Sequence, residues 1–331
     1  MCYKGIMKKN LSVILLCLCC AFLSAQNEPE AESDSKVQKD FQNNILTMAG
    51  FQSLQTAEKD FVFTPSVNLQ YMRMKNEGVI SSQPDFLVIG AGYSLDHFTK
   101  GLGPDKVDNL HNCNLMSNFG WGKNSFTAMV ASGGEVPFSS IHNITGGLMY
   151  SREFISTDKL SFAFGGGIMA GDFGLSIGDF NIYVLPLPIL SFSYQNDYVA
   201  AGIAMMGLPA VQLILFPKSM FRFNGSCSLS GFDSIRDLTF DCALACYPLI
   251  NTKAKDFLSV SAGVMNTSSS HKLKDNTAYG YQYYTAYGEI NATFVTFRCG
   301  YNFDGKVLVD SKPVADMYKG VFASVQAMFM F

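Results

Sequence analysis

The chain has 331 residues, a formal net charge of −3 and 15% charged side chains, against 48% hydrophobic and 13% aromatic ones. Soluble domains carry roughly 25% charge, so this chain is short of what a fully water-facing surface needs, and its slight acidity offers no basic footprint for nucleic acid. Twenty-eight Phe and 15 Tyr stand against one Trp, a balance that suits a sheet whose outer face is apolar and girdled by aromatic rings.

The first segment reads as a targeting signal. Lys8 and Lys9 precede an apolar run from Leu11 to Leu23, followed by Ser24-Ala25. A basic start, a short apolar stretch and a small residue before a polar one define a secretory signal peptide over residues 1–25, with cleavage expected after Ala25. The run falls short of the roughly 20 residues a membrane-spanning helix needs. Cys17, Cys19 and Cys20 lie near its end, but bulky Leu18 and Cys19 stand where an acylated cysteine is normally preceded by a small residue, so lipidation is not expected. Residues 26–60 are expected to be a flexible polar leader. Glu28, Glu30, Glu32 and Asp34 crowd its start, where too little apolar surface exists to offset ordering entropy. Ile45 to Ala57 reads as a short helix or a first turn.

From residue 61 to 331 the apolar period is two. Val67, Leu69 and Tyr71 alternate with Ser66, Asn68 and Gln70, and a second strand runs through Leu87, Ile89, Ala91, Tyr93 and Leu95. Further strands fit Leu110 to Phe119, Ser125 to Ser132, Ile141 to Ile155, Leu160 to Gly171, Phe180 to Tyr194, Tyr198 to Gly207, Phe221 to Gly231, Leu238 to Tyr247 and Phe257 to Asn266. Tyr281 to Phe303 is either one tall strand or a hairpin, and Pro209 to Phe216 is open in the same way. A helix over Val199 to Phe216 is disfavoured by Gly202, Gly207 and Pro209, since proline costs a helix interior about 3 kcal/mol. The pattern predicts an all-β fold, a transmembrane antiparallel up-and-down barrel of about 12 strands (range about 10–14).

At the C-terminus Val321, Ala323, Val325, Ala327, Phe329 and Phe331 alternate with Phe322, Ser324, Gln326, Met328 and Met330. One register ends on a terminal aromatic residue. This resembles the last strand of bacterial outer-membrane β-barrel proteins. The resemblance implies an outer-membrane address, with membrane lipids and the barrel-assembly machinery as partners and Phe329 and Phe331 as the assembly signal.

No chemistry-bearing constellation accompanies this pattern. His97, His111, His142 and His271 share no metal-ligand spacing with each other or with carboxylates, and HExxH and CxxC are absent from the expected mature chain. His97 and His271 read as solvated loop residues. No catalytic residue, metal site or cofactor is expected. Cys113, Cys227, Cys242, Cys246 and Cys299 read as small apolar residues facing lipid or core. Cys242 and Cys246 stand roughly 13 Å apart along one extended strand and cannot bridge there.

Three functions fit. The first is a channel or transporter for small solutes, with Asn68, Gln70, Arg73, Glu289 and Arg298 as lumen candidates. The second is a carrier or modifier of lipids. Val184-Leu185-Pro186-Leu187-Pro188-Ile189-Leu190, followed by strands ending at Leu208-Pro209, resembles the late hairpin of the outer-membrane lipid A palmitoyltransferase family. The resemblance implies a lateral gate near Pro186, Pro188 and Pro209, where proline removes a ladder donor; that family's catalytic residues have no matching motif here. The third is a surface-display barrel whose long loops at Phe98 to Asn109, Ser268 to Gly280 and Asn302 to Tyr318 bind outside molecules.

Overall fold

The computed structural model describes residues 41–57, 60–75, 85–102, 107–173, 176–177, 180–206, 208–229, 238–250, 257–272, 277–310, 312–316 and 319–331. The expected signal peptide and the acidic start of the leader lie outside these residues. The strands run in chain order as β1 (Phe41–Ala57), β2 (Asp60–Lys75), β3 (Phe86–Leu102), β4 (Val107–Trp121), β5 (Asn124–Gly134), β6 (Ile144–Ser156) and β7 (Leu160–Gly171). They continue as β8 (Ser176–Ile177), β9 (Phe180–Asn181), β10 (Val184–Gln195), β11 (Val199–Met206), β12 (Leu208–Leu215) and β13 (Phe221–Leu229). The last are β14 (Leu238–Cys246), β15 (Leu258–Lys272), β16 (Ala278–Ala292), β17 (Val295–Val309), β18 (Lys312–Asp316) and β19 (Gly320–Met330).

Sixteen of these strands form one closed antiparallel barrel, with β18 as an extra piece and β8–β9 as a separate small ribbon. Every barrel strand pairs with its neighbours in sequence, and β19 closes the ring on β1 from Leu46↔Met330 to Leu54↔Phe322. At that seam the backbones of Ile45 and Phe331 exchange both hydrogen bonds, each 2.9 Å. Closure leaves no sheet edge around the ring, which is the condition for a sheet to cross hydrocarbon. β18 continues the ladder of β17 in the register β19 keeps, Lys306↔Asp316 following Asn302↔Gly320.

The expected count of about 12 strands is therefore too low. Tyr281 to Phe303 is a hairpin, β16 and β17 turning at Thr293-Phe294, and Pro209 lies in a strand of its own, β12. The barrel also begins before residue 61. Ile45 to Ala57 is neither helix nor turn but most of β1, paired along its length with β2. Its inward face carries Gln52 and Gly50 as well as Leu46 and Met48, so an apolar-count pattern does not mark it.

Registers sort the side chains. Leu69, Ile89, Leu115, Leu148, Ile168, Ile203, Val264, Phe297 and Val325 occupy the outward face and are exposed or partly so. The alternate positions point into the lumen. All five described cysteines stand on the outward register, and none is in a disulfide. Five short turns, at Gly122-Lys123, Thr157–Lys159, Asn196–Tyr198, Phe216–Met220 and Thr293-Phe294, lie at the end carrying both described termini, although β1–β2 and β11–β12 join as closely at the other end. Short turns mark the periplasmic end of such barrels.

Two irregularities shape the lumen. The wall is uneven: β1 to β4 have 15 to 17 residues, whereas β11 and β12 have 8 and β13 and β14 have 9. About 9–11 tilted residues cross a bilayer, so the low side barely spans and the high side rises beyond it. The second irregularity is a corner at β7, where Gly165-Gly166-Gly167 lets β6 and β10 approach each other. Inward Met149, Leu187 and Ile189 are buried in that corner, the close-approach role that glycine serves in a barrel bend.

Candidate functional site

The candidate site is the lumen, and its outer end is partly filled. Inward side chains from both halves of the chain meet there: Leu54, Phe98, Leu110, Tyr279, Tyr281 and Phe322 are all nearly inaccessible. The filling brings opposite walls together. β5 comes into contact range of β15, its counterpart across the ring, and a 3-10 turn at Ile141–Asn143 approaches β5, β7 and β15. A Cβ placed on Gly133 of β5 would stand 3.2 Å from Nδ1 of His271 on β15. His142 Nδ1 lies 2.7 Å from Asp172 Oδ2, tying that turn to the connection after β7.

Buried polar groups stitch this roof. Asp96, only 2% exposed, accepts from Thr64 (2.8 Å) and Tyr281 (2.6 Å). Gln52 donates to the Tyr283 hydroxyl at 2.8 Å, and His271 Nε2 contacts Ser269 Oγ at 2.7 Å. A buried carboxylate is tolerated only where such partners replace water. His271 is thus a buried wall residue rather than the solvated loop histidine expected, and His97 lies in β3, 2.9 Å from Asn109 Oδ1.

Beneath the roof the lumen is polar. A cavity of about 560 Å³ is lined by Gln52, Thr64, Ser66, Thr296, Ser324 and Gln326, with Phe322 among its walls. The neighbouring cavity holds Asn68 beside Ser94 and Asn114. Gln70 is inward too, its stem under Gly90. Glu289 and Arg298 are brought together across β16 and β17, Arg298 donating from Nε at 2.8 Å with Nη2 2.6 Å from the same carboxylate oxygen. Arg73 departs from expectation. It shares the face of Leu69 and Tyr71 and so stands on the outward register, near the periplasmic end of β2.

Pro186, Pro188 and Pro209 also occupy the outward register and are exposed. Tyr183 C=O accepts from Gly171 N and Gln195 N donates to Lys159 O, so odd-numbered residues of β10 turn their backbone groups to the β7 side. Even-numbered ones turn theirs toward β11. β11 pairs only with Ile189 to Gln195, which leaves Val184 to Pro188 with no ladder partner on that side among the described residues. The two prolines sit where a backbone N–H would point into this gap, a position that costs proline nothing. Phe329 pairs with Thr47, and Phe331 closes the ring with Ile45.

Several residues of the site were not anticipated: Asp96, Asp241, His271 and Tyr287. Asp241 was open to reading, since Thr239, Asp241, Ala243 and Ala245 alternate with Phe240, Cys242, Leu244 and Cys246. The inward face is the one with the acid.

A closed antiparallel ring with an apolar outer register and a polar interior is a transmembrane β-barrel of the bacterial outer membrane. No family model and no curated protein matches the chain. Among solved structures it is similar to Acinetobacter baumannii OccAB4 (TM-score 0.37, 7% identity, 90% of this chain and 100% of that one). It is similar also to Pseudomonas aeruginosa OpdQ (TM-score 0.41, 6% identity, 88% and 99%) and OccK1 (TM-score 0.42, 6% identity, 88% and 99%). Similarity this loose says nothing about cargo; the functional reading rests on the barrel itself.

Proposed function

We propose that the chain is a passive channel admitting small polar solutes across the outer membrane. The observation that carries it is the lumen wall beneath the roof, where Gln52, Thr64, Ser66, Thr296, Ser324 and Gln326 surround space rather than pack against one another. A ring of 16 strands is wide enough to enclose an aqueous path, and hydroxyl and amide groups keep such a path wetted. Purified protein added to a planar bilayer in KCl should give discrete conductance steps. Insertion shown by heat-modifiable migration, with no current above the lipid background, would sink the channel.

A second reading has one observation in its favour, the upper stretch of β10, which among the described residues has no ladder partner on its β11 side. Val184 to Pro188 faces a gap above the low wall of β11 and β12, and inward Leu185, Leu187 and Ile189 make the lining beside it apolar. On this reading an acyl chain passes sideways at Pro186, Pro188 and Pro209. Mass spectrometry of protein extracted in mild detergent should then find a bound fatty acid or phospholipid, lost when Leu187 is replaced by Asn. A lipid-free spectrum counts against it. The surface-display reading has less loop sequence to draw on than expected, since 98–102 lie in β3, 268–272 in β15 and 302–309 in β17.

A further inference from the structure

Arg298 has little left to offer a passing solute. Its Nε and Nη2 both serve Glu289, its Nη1 contacts Met265 Sδ at 3.0 Å, and its guanidinium lies over the Tyr287 ring, 4.2 Å from the centroid. One carboxylate is thereby neutralised. A second, Asp241, stands on the adjoining wall. Its Oδ1 accepts from the Tyr287 hydroxyl, whereas its Oδ2 is 3.6 Å from Arg298 Nη1, too far for a hydrogen bond of normal length. Asp241 remains about one-third exposed and lines a cavity of about 300 Å³ with Gln212, Asn224, Ser226 and Ser261.

The cluster therefore holds two carboxylates against one guanidinium, and the surplus charge faces the path. Arg222, on the inward register of the neighbouring strand, is no counterweight. It lies toward the periplasmic turn with its guanidinium 3.7 Å from the centre of the Tyr247 ring and Nε bonded to Ser219 O. Around Asp241 the groups are amides and hydroxyls, which accept from a donor as well as solvate it.

We propose that Asp241 makes this lumen cation-selective and seats the primary ammonium group of small organic cations. The inference rests on the channel reading and names its solute class. Three N–H donors of an ammonium match the Asp241 Oδ2 and the side-chain oxygens beside it, while Tyr287 and Arg298 hold the carboxylate in place. A unit charge about 4 Å from a cation in water favours it roughly fivefold, so a potassium-to-chloride permeability ratio of roughly 3 to 5 is expected.

The test is the reversal potential of the intact barrel in a planar bilayer under a KCl gradient, repeated with 1,4-diaminobutane added on one side. Wild-type protein should reverse on the cation-selective side, and millimolar diamine should reduce the potassium current. Asp241→Asn should bring the permeability ratio close to 1 and abolish the diamine effect. Asn224→Lys supplies the second arm should Asp241→Asn fail to fold: its ammonium balances the surplus carboxylate and should likewise bring the ratio close to 1. No current at all would end the channel reading and this inference together. Conducting wild-type barrels with a ratio at or below 1, or a preference untouched by both substitutions, would overturn this inference while leaving the channel standing.

Discussion

Gly165→Ala should abolish most barrel assembly, while Gly166→Ala, one residue on, should be silent. The two glycines lie side by side in β7 but on opposite faces. A Cβ on Gly165 would stand 1.9 Å from the carbonyl oxygen of Tyr150 and 2.6 Å from the Cα of Ser151. Both are backbone atoms of β6, paired through Ser151↔Gly165 and Tyr150↔Gly166. No rotamer change relieves such a contact, so β6 must be pushed off its ladder. A Cβ on Gly166 would meet only Leu187 O, at 3.8 Å, an ordinary contact.

Overpacking a fixed core costs about 1–3 kcal/mol and sometimes more. Here the obstruction is main chain at the tightest part of the ring, so the upper end or beyond is expected. The heat-modifiable folded fraction in outer membranes should fall several-fold for Gly165→Ala. For Gly166→Ala the urea midpoint should stay within the shift of a surface change, about 0.5 kcal/mol. Equal folding of the two variants would mean that β6 and β10 do not close over β7, and the corner would have to be abandoned.

That corner shows where sequence reasoning reaches and where it stops. The period of two locates β7, and three successive glycines mark a bend, but nothing local says which strands the bend brings together. The terminal strand is fully legible, because Val321 to Phe331 alternates without interruption and ends on the aromatic residue that closes the seam. β1 is not, because a wet lumen asks for inward residues such as Gln52 and Gly50, and the alternation in a barrel strand is weak for that reason. Parity tells which residues share a face and not which face is inside. Tyr279, Tyr281 and Tyr283 could equally have formed an outer aromatic girdle; they form the roof instead. Arg73 fails on parity alone, two residues beyond outward Tyr71.

The charge cluster divides in the same way. Glu289 and Arg298 become partners as soon as Tyr281 to Phe303 is folded as a hairpin about Thr293-Phe294, which is a local inference. Asp241 joins them only through the pairing β14–β15–β16, with Met265 opposite it and Thr285 opposite Met265. The longer-range part of the site depends on the registers of two successive ladders, β14–β15 and β15–β16, which alternation alone does not fix.

Phe322→Ala should both weaken the barrel and enlarge its current. Phe322 is 1% exposed, paired across the closing seam with Leu54 and across β17 with Gly300. It is at once part of the packed roof and part of the wall of the 560 Å³ cavity beneath. Truncating a buried phenylalanine costs about 3–5 kcal/mol through lost contacts and the void left behind. The neighbours that would have to collapse into the void are Leu54, with its strand fixed in the seam, and the tyrosines anchored by Asp96 and Gln52, so relaxation is restricted. The urea midpoint of the folded barrel should drop accordingly. The void also joins the cavity to the space above it, so single-channel conductance should rise. Conductance equal to wild type in a variant with the lowered midpoint would show that ions never use this side of the lumen. The path would then run wholly along β6 to β14, beside the Asp241 cavity, with the roof serving only to hold β5 and β15 together.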